Sequence, residues 1–322
     1  MNYRFYYPDW NSRKEVCKEY PQIKEITKEP IAFWYGVGPK RTIRKTKHSI
    51  QRLLKRAHPY LPTLVIYSIP QRDLGHHSKG GADSDDEYLE FIQEFCNALG
   101  DKSPIVIYEP DCIPHMEQMG VVDGLDRMKL IKASIELLSR TNASVYIDIG
   151  NPKWLSTTKA VSYLDLCDVH KIKGFALNTS NYYSTTTCYD YGKKISKRLN
   201  NTHFVIDTSR NGNGANSEHF NPFGRSIGEF PTTHTCDEIV DAYLWVKVPG
   251  VYSSMNKERI TMKCDKCKKL TAEIEYKGGN YCTWYCIKKK KVELPEEFFH
   301  ELNGMLKEQH DFDMAMNNIE VY

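Results

Sequence analysis

Seven short, almost continuously apolar segments alternate with helical patterns along most of the chain. The segments are residues 30–37, 63–69, 104–108, 143–149, 174–178, 203–207 and 239–246. Their lengths are those of β-strands, and the lack of polar alternation is typical of parallel strands that are covered on both faces. Helical patterns fall at residues 49–57, 92–99, 125–138, 189–199 and 295–306. The alternation predicts an α/β fold with about seven parallel strands, arranged as a barrel or a near-barrel.

The size and composition of the chain fit a folded protein and exclude several functional classes. Of the 322 residues, 40% are hydrophobic and 26% are charged, which is a globular composition, and we treat residues 1–322 as a single domain. The formal net charge of +3 is too small for the electrostatic footprint of a nucleic-acid-binding protein. No apolar run approaches the ~20 residues of a membrane-spanning helix. We therefore expect a monomer without nucleic-acid or membrane partners.

The first residues carry no visible secretory signal. Residues 1–5 lack the apolar h-region of a signal peptide. Either the protein stays inside a cell, or a signal has been removed, and the initiating Met favours the first alternative. The expected localisation is intracellular, or outside the cell after non-classical release.

Four of the ten cysteines form a cluster, Cys264-x2-Cys267-x14-Cys282-x3-Cys286. Two close pairs separated by a short excursion can present four thiolates tetrahedrally to zinc. Disulfide bonds and free thiols are the alternatives. The surrounding stretch, residues 263–291, differs in composition from the rest of the chain and is interpreted as a Cys-rich insertion before the last helix. The favoured prediction is a structural zinc site within it.

Polar and aromatic side chains follow the predicted strands at their carboxyl ends. In parallel α/β folds these ends meet at one rim, where functional sites form. The residues concerned are Trp34, Tyr67, Arg72, Asp73, Asp111, Asp148, Trp154, Asn178, Asp207, Arg210 and Lys247. Aromatic rings suit sugar faces, and two carboxylates in one cleft can supply general acid catalysis, since each raises the pKa of the other. The rim therefore indicates a carbohydrate site, whereas nucleotide-binding, zinc-protease and serine-hydrolase motifs are absent from the sequence.

Seven ordered motifs on these strands resemble one enzyme family. Residues 67–81 read Y-S-I-P-Q-R-D-L-G-H-H-S-K-G-G, similar to the pattern Y-D-I-P-x-R-D-C-G-x-x-S-x-G-G. Further matches are I-Y-E-P-D at 107–111, Y-I-D-I-G-N-P-K-W-L at 146–155, G-F-A-L-N-T-S-N-Y at 174–182, F-V-I-D-T-S-R-N-G at 204–212, and the segments 220–232 and 241–250. On these motifs the chain resembles family 6 of the glycoside hydrolases, the cellobiohydrolases and endoglucanases that cleave β-1,4-glucan with inversion.

The resemblance implies a distorted, incomplete (β/α) barrel and a catalytic role for four residues. Asp111 would be the general acid that protonates the leaving glycosidic oxygen. Asp73 would tune Asp111 and relay a proton through water, and Ser78 would lie on the loop that holds this water. Tyr67 would press on the distorted sugar at the point of cleavage. Without the resemblance, Asp111 is better explained as a strand cap, and Asp73 can be a turn residue paired with Arg72.

The resemblance also implies a set of substrate-binding residues. Trp34 and Trp154 would be stacking platforms on the two sides of the cleaved bond. Four further residues would line the cleft and hold hydroxyl groups or orient Asp111: Arg72, Asp148, Asn178 and Lys247. His219 stands where the family has a Trp, so that one glucose platform is weakened. The implied partner is a polysaccharide or oligosaccharide, and catalysis needs no cofactor.

One departure from the family pattern affects the predicted mechanism. Val251 stands where the family has Glu, and Ser253 where it has the Asp most often proposed as the base. A serine hydroxyl does not accept a proton as a carboxylate does near neutral pH. Either water is activated by a chain that ends at Asp73, or the enzyme is slow, or catalysis is lost. The alternatives to an inverting β-1,4-glycanase are therefore a weak or inactive carbohydrate-binding homologue, and a contact module formed by the cysteine cluster.

Overall fold

A computed structural model shows the arrangement of most of the chain. It describes residues 5–6, 29–38, 42–75, 78–216 and 225–247, together with the backbone of five short strands at 250–252, 269–273, 281–283, 286–288 and 292–293. The predicted helix at 295–306 lies outside the described residues, as do the side chains of the Cys-rich stretch. Within the described part, no helix is long and apolar enough to cross a membrane.

Seven parallel strands form one sheet in the order in which they follow along the chain. They are β1 (Phe33–Tyr35), β2 (Thr63–Ile66), β3 (Ile105–Tyr108), β4 (Ser144–Asp148), β5 (Gly174–Leu177), β6 (His203–Asp207) and β7 (Val240–Leu244). Each strand lies inside one of the predicted apolar segments. The prediction of an α/β fold with seven parallel strands is confirmed.

The sheet curls until its first and last strands approach each other. The main-chain N–H of Ala32, just before β1, donates to the carbonyl of Trp245 after β7 over 3.0 Å. The indole N–H of Trp34 donates to the carbonyl of Val246 over 2.9 Å. The described residues show no strand pairing between β1 and β7, so the sheet is a curled half-barrel. This arrangement confirms the expected distorted, incomplete barrel.

Helices cover the outer face of the sheet between the strands. They are α1 (Ile43–Ala57), α2 (Asp85–Leu99), α3 (Cys112–His115), α4 (Val121–Leu138), α5 (Thr157–Leu166) and α6 (Thr185–Arg198). Hydroxyl caps begin four of them: Thr42, Ser84, Ser156 and Ser184 each accept a main-chain N–H from the first turn. For α1, α2 and α6, the apolar patterns placed the start of the helix too late, because the first turns of these helices are mostly polar. The apolar patterns did not predict α5, because this helix buries only Ala160 and Leu164 and so has no long apolar stripe.

The core is continuous across both faces of the sheet. Every residue of β1, β2, β3 and β5 is buried, as the unbroken apolar segments predict for covered parallel strands. Helix α6 approaches the sheet at Gly192, where an added Cβ would lie 2.5 Å from the ring of Phe204. That ring stacks on Phe175 with centroids 5.2 Å apart. A glycine is therefore required in the middle of this helix.

A polar cluster lies near the amino ends of β5, β6 and β7. The hydroxyl of Tyr146 donates to the Asp241 carboxylate over 2.6 Å, and His203 Nδ1 lies 2.8 Å from the other carboxylate oxygen. Lys173 Nζ is 3.6 Å from the same carboxylate. Because β5 and β6 separate β4 from β7, the Tyr146–Asp241 hydrogen bond bridges the concave side of the sheet. We infer that this bond helps to fix the curvature.

We expect Tyr146→Phe to lower the free energy of unfolding by about 1–2 kcal/mol, because it removes a buried donor and leaves the carboxylate of Asp241 short of a partner. Urea denaturation measures the loss. Tyr189→Phe is the matched control, since Tyr189 makes the same kind of hydrogen bond to Asp237 at the surface, and its effect should be smaller. Equal effects of the two substitutions would contradict the bridging role.

Candidate active site

The backbone adopts unusual conformations where β2, β3 and β5 end. Seven non-glycine residues there have positive φ angles: Gln71, Asp73, Leu74, Glu109, Asp111, Asn178 and Ser180. Such angles are uncommon outside glycine, and they concentrate at functional sites, where the surrounding structure holds them in place. The predicted catalytic residues Asp73 and Asp111 belong to this set. Seven of the eleven described non-glycine residues with positive φ angles therefore lie at the carboxyl rim of the sheet.

The loop after β2 is folded around the Arg72 guanidinium. Arg72 is buried and donates to the carbonyls of Tyr67 (2.7 Å), Ser78 (2.7 Å) and Lys79 (3.3 Å). Its guanidinium also lies over the Tyr67 ring, 4.6 Å from the ring centroid. Gly81 closes the loop with φ +99°, and an added Cβ would meet the Ile69 carbonyl oxygen at 2.1 Å. These donors hold the loop, so the structure gives Arg72 a clamping role, while its predicted contact with substrate stays a prediction.

The loop presents the carboxylate of Asp73 toward the rim. Asp73 Oδ2 accepts the main-chain N–H of Ser78 over 2.7 Å, and both residues are partly exposed. A second element supports the strand end, because Arg127 on α4 donates to the carbonyl of Pro70 over 2.6 Å. The expected neighbourhood of Asp73 and Ser78 is thus present, and the contact is made by the Ser78 backbone.

Asp111 follows β3 in a left-handed conformation, with φ 70°. Its main-chain N–H donates to Asp148 Oδ1 over 2.9 Å. The residue is partly exposed, yet its Oδ1 atom is buried and has no hydrogen-bond partner. Burial raises the pKa of Asp111 well above its usual value, and the nearby charges of Asp148 and Asp73 raise it further. A carboxyl group in this position holds its proton at a pH where an ordinary aspartate has lost it.

Asp148 is a fully buried carboxylate at the end of β4. Its Oδ1 accepts the N–H groups of Asp111 and of Gly150, each over 2.9 Å. Burial raises the pKa of Asp148 to about 6, although these two N–H donors oppose the shift. Because the side chain has no exposed surface, it cannot hold a sugar hydroxyl. Of the two roles predicted for Asp148, the structure supports the orientation of Asp111 and not the direct substrate contact.

The rim therefore brings three carboxyl groups together in the manner of a general acid site. Asp73 and Asp111 are open to solvent in part, whereas Asp148 lies beneath them. Burial and the mutual repulsion of the carboxylates disfavour the state in which all three groups are ionised, so that one of them retains a proton. Such a proton can be donated to a leaving oxygen.

Comparison with known proteins decides the family. The sequence model of "Glycosyl hydrolases family 6" matches residues 9–285. This chain belongs to glycosyl hydrolase family 6. It is 40% identical over 229 residues to Endoglucanase A of Cellulomonas fimi, covering 71% of this chain and 50% of that protein. Endoglucanase A of Thermobispora bispora is 37% identical over 243 residues, which cover 71% of this chain and 52% of that protein. The chain thus spans about half the length of these curated relatives.

Solved structures of family 6 proteins share the fold. The endoglucanase Cel6 from Mycobacterium tuberculosis, solved in complex with methyl-cellobiosyl-4-deoxy-4-thio-β-D-cellobioside, superposes with a TM-score of 0.72 at 30% identity, covering 78% of this chain and 88% of that one. The family 6 enzyme of Orpinomyces sp. Y102 has a TM-score of 0.67 at 21% identity, covering 88% of this chain and 93% of that one. At that lower identity the likeness shows the fold alone.

The predicted aromatic platforms differ in how far they reach solvent. Trp154 is 38% exposed, as expected of a platform. Trp34 is only 8% exposed, and its ring is approached by the edge of Tyr67 and by Lys247 Nζ at 5.3 Å. The expectation that Trp34 offers an open stacking face is therefore not supported, because neighbouring side chains of this family 6 fold cover it. Tyr67 is also buried, and its contact with sugar stays a prediction.

Asn178 is another predicted substrate ligand that the fold uses internally. Its amide nitrogen donates to the carbonyls of Tyr183 and Asp207, and its amide oxygen accepts the N–H of Tyr183. The side chain is fully buried. The structure therefore gives the Asn178 amide a role in holding the main chain at the rim, and its contact with substrate stays a prediction.

Two acids at the rim have roles that the sequence analysis did not assign. Asp207, at the end of β6, accepts main-chain N–H groups from Ser180, Ser209 and Lys247 between 2.9 and 3.1 Å, so it ties together the loops after β5, β6 and β7. Glu109 accepts the N–H of Ser68 with both oxygens, at 2.8 and 3.0 Å. A charged residue at or directly after the end of a buried strand was the available signal for both.

Several predicted residues of the site lie outside the described part of the chain. His219 and Ser253 are not described there, and neither are the side chains of Val251 and of the four clustered cysteines. Among the residues whose side chains the structure describes, no group of three or more His, Cys, Asp or Glu residues could hold a metal ion. The choice between zinc, disulfides and free thiols at Cys264, Cys267, Cys282 and Cys286 is therefore untested.

We expect Asp148→Asn to flatten the dependence of stability on pH. The pKa of Asp148 is raised on folding, so its contribution to stability is full below pH ~4 and is lost as the pH rises through about 6. The neutral amide removes this loss, which is on the order of 1–3 kcal/mol between pH ~4 and ~7. Urea denaturation of both proteins across this range measures it.

Asp237→Asn is the control of opposite sign. The Tyr189 hydroxyl and Lys193 lower the pKa of Asp237 to about 2, so this carboxylate stabilises the fold above its unfolded pKa, and the stability is lost as the pH falls. The Asp237 variant should therefore be less stable than wild type at neutral pH. An unchanged pH profile for the Asp148 variant would show that Asp148 is not a buried acid.

Proposed function

We propose that this protein hydrolyses β-1,4-glycosidic bonds in a glucan-type polysaccharide by an inverting mechanism with Asp111 as general acid. The observation that carries the proposal is the environment of Asp111, where burial and two neighbouring carboxylates raise its pKa at a solvent-reachable rim. Membership of family 6 supports the same reaction, since matching relatives are named endoglucanases or 1,4-β-D-glucan cellobiohydrolases. The M. tuberculosis neighbour holds a thio-linked cellobioside.

The acid step follows from the fold. Asp148 fixes the Asp111 backbone through the N–H···O hydrogen bond, while its charge disfavours ionisation of Asp111. Proton transfer from Asp111 to the glycosidic oxygen allows the bond to the anomeric carbon to break through an oxocarbenium-like transition state. Water then attacks from the opposite face of the sugar, which inverts the configuration.

The activation of this water distinguishes the chain from the family pattern. Ser253 replaces the usual base carboxylate, and a hydroxyl cannot take the proton near neutral pH. We propose that the water passes its proton along a chain that ends at Asp73, whose carboxylate is held by the Ser78 backbone. In this account Asp73 both accepts that proton and, through its charge, raises the pKa of Asp111.

A second candidate function is a carbohydrate-binding homologue with weak or no catalysis. The replacement of two family carboxylates by Val251 and Ser253 favours it. The exposed Trp154 ring supports sugar binding in both candidates. The partner is a polysaccharide or oligosaccharide in either case, and the monomeric state and the localisation away from the classical secretory route remain predictions.

We expect Asp111→Asn to reduce hydrolysis of soluble β-1,4-glucan by at least ~100-fold, because the amide cannot donate the proton. Reducing-sugar release in a screen of β-linked polysaccharides measures the rate, and NMR of the first product tests for the α-anomer that inversion generates. Asp165→Asn, at an exposed position, is the control and should retain the wild-type rate.

The two candidates give different results in this screen. Oligosaccharide binding without turnover in the wild-type protein would support the binding homologue. Hydrolysis that is unaffected by Asp111→Asn would contradict the proposed mechanism.

A further inference from the structure

We propose that His115 is a positioning residue that holds the Asp73 carboxylate and the Trp154 ring together at the catalytic rim. The inference deepens the proposed function and rests on it for its catalytic meaning. His115 is the last residue of the one-turn helix α3, which begins directly after Asp111. Its main-chain N–H donates to the Asp111 carbonyl over 3.0 Å. The residue is 5% exposed. The turn therefore fixes the imidazole relative to the proposed acid.

The imidazole faces the second oxygen of Asp73. His115 Nε2 lies 3.9 Å from Asp73 Oδ1, while Asp73 Oδ2 accepts the Ser78 N–H. A separation of 3.9 Å is too long for a direct hydrogen bond, but it suits a charge interaction or a bridging water. The two oxygens of this carboxylate are thus held from different sides, one by its own loop and the other by α3. A displacement of α3 would therefore change the distance between the imidazole and the Asp73 carboxylate.

A second contact of the imidazole is with the exposed tryptophan. The rings of His115 and Trp154 meet edge to face, with centroids 5.6 Å apart and an interplanar angle of 75°. Behind the indole lies Gly150, where an added Cβ would be 2.4 Å from Trp154 Cε3. The indole is therefore fixed between Gly150 and His115, with part of its surface left open.

These contacts make His115 the link between the sugar platform and the proton relay. Loss of the imidazole nitrogen affects Asp73, which acts in the chemical step. Loss of the ring as a whole also affects Trp154, which acts in binding. His115→Phe keeps a ring beside Trp154 and removes the nitrogen, whereas His115→Ala removes both. The two variants therefore separate the two roles.

The kinetic test compares these variants on soluble β-1,4-glucan. We expect His115→Phe to lower kcat roughly tenfold with KM within about twofold of wild type, and His115→Ala to raise KM as well. In an Asp73→Asn background, His115→Phe should cause no further loss of kcat, because the two residues act on the same step. His170→Phe, at an exposed histidine in the short 3-10 helix Val169–Lys171, is the control. Full additivity of the two losses would overturn the proposal.

A second measurement does not depend on turnover. In two-dimensional NMR of the whole chain, His115→Phe should shift the Ser78 amide resonance, which reports on Asp73, and should shift the Trp154 indole resonance less than His115→Ala does. His115→Ala should shift both, while the buried Trp245 indole stays unchanged. Shifts as expected without any hydrolysis would uphold the positioning role and refute the proposed hydrolase. Unmoved Ser78 and Trp154 resonances would overturn the positioning role even in an active enzyme.

Discussion

The hydrogen bond from the Asp111 backbone to Asp148 is the interaction on which the site depends. It brings the end of β3 against the end of β4 and sets a partly exposed carboxyl group above a fully buried one. The buried Asp148 carboxylate is held in place because it also accepts the N–H of Gly150. Geometry and charge are thereby coupled, since the acceptor that orients Asp111 also makes its ionisation unfavourable.

Buried acids at the other strand ends extend the same arrangement. Asp207 binds the backbone of three loops, and Glu109 binds the backbone of Ser68 after β2. These carboxylates satisfy main-chain N–H groups at the rim, and one of the donors, Ser180, has a disfavoured positive φ angle. Burying several acidic groups lowers the stability of the folded state, so the arrangement of this rim is maintained at the expense of stability.

The sequence was sufficient for the sheet and for the location of the site. Unbroken apolar segments such as 104–108 have the length of buried strands and are too short for helices, and their carboxyl ends meet because parallel strands share one direction. It was less informative about single side chains. Nothing in the local sequence shows that the Asn178 amide bonds to main chain from Tyr183 and Asp207, or that other side chains cover Trp34. The contact between Asn178 and Asp207 joins two neighbouring strands that are separated by a helix in sequence. The contact between Trp34 and Lys247 exists because the curvature of the sheet brings its first and last strands together.

The protonation of Asp111 is the central claim, and it can be measured directly. Carbon-13 NMR of selectively labelled aspartate side chains follows the Asp111 carboxyl group through a pH titration, with the Asp111→Asn protein to assign the signal. The account predicts a midpoint well above the ordinary value of about 3.9 for aspartate, and a lower midpoint in a protein that lacks the Asp148 charge. A midpoint near the ordinary value, unaffected by Asp148, would contradict it.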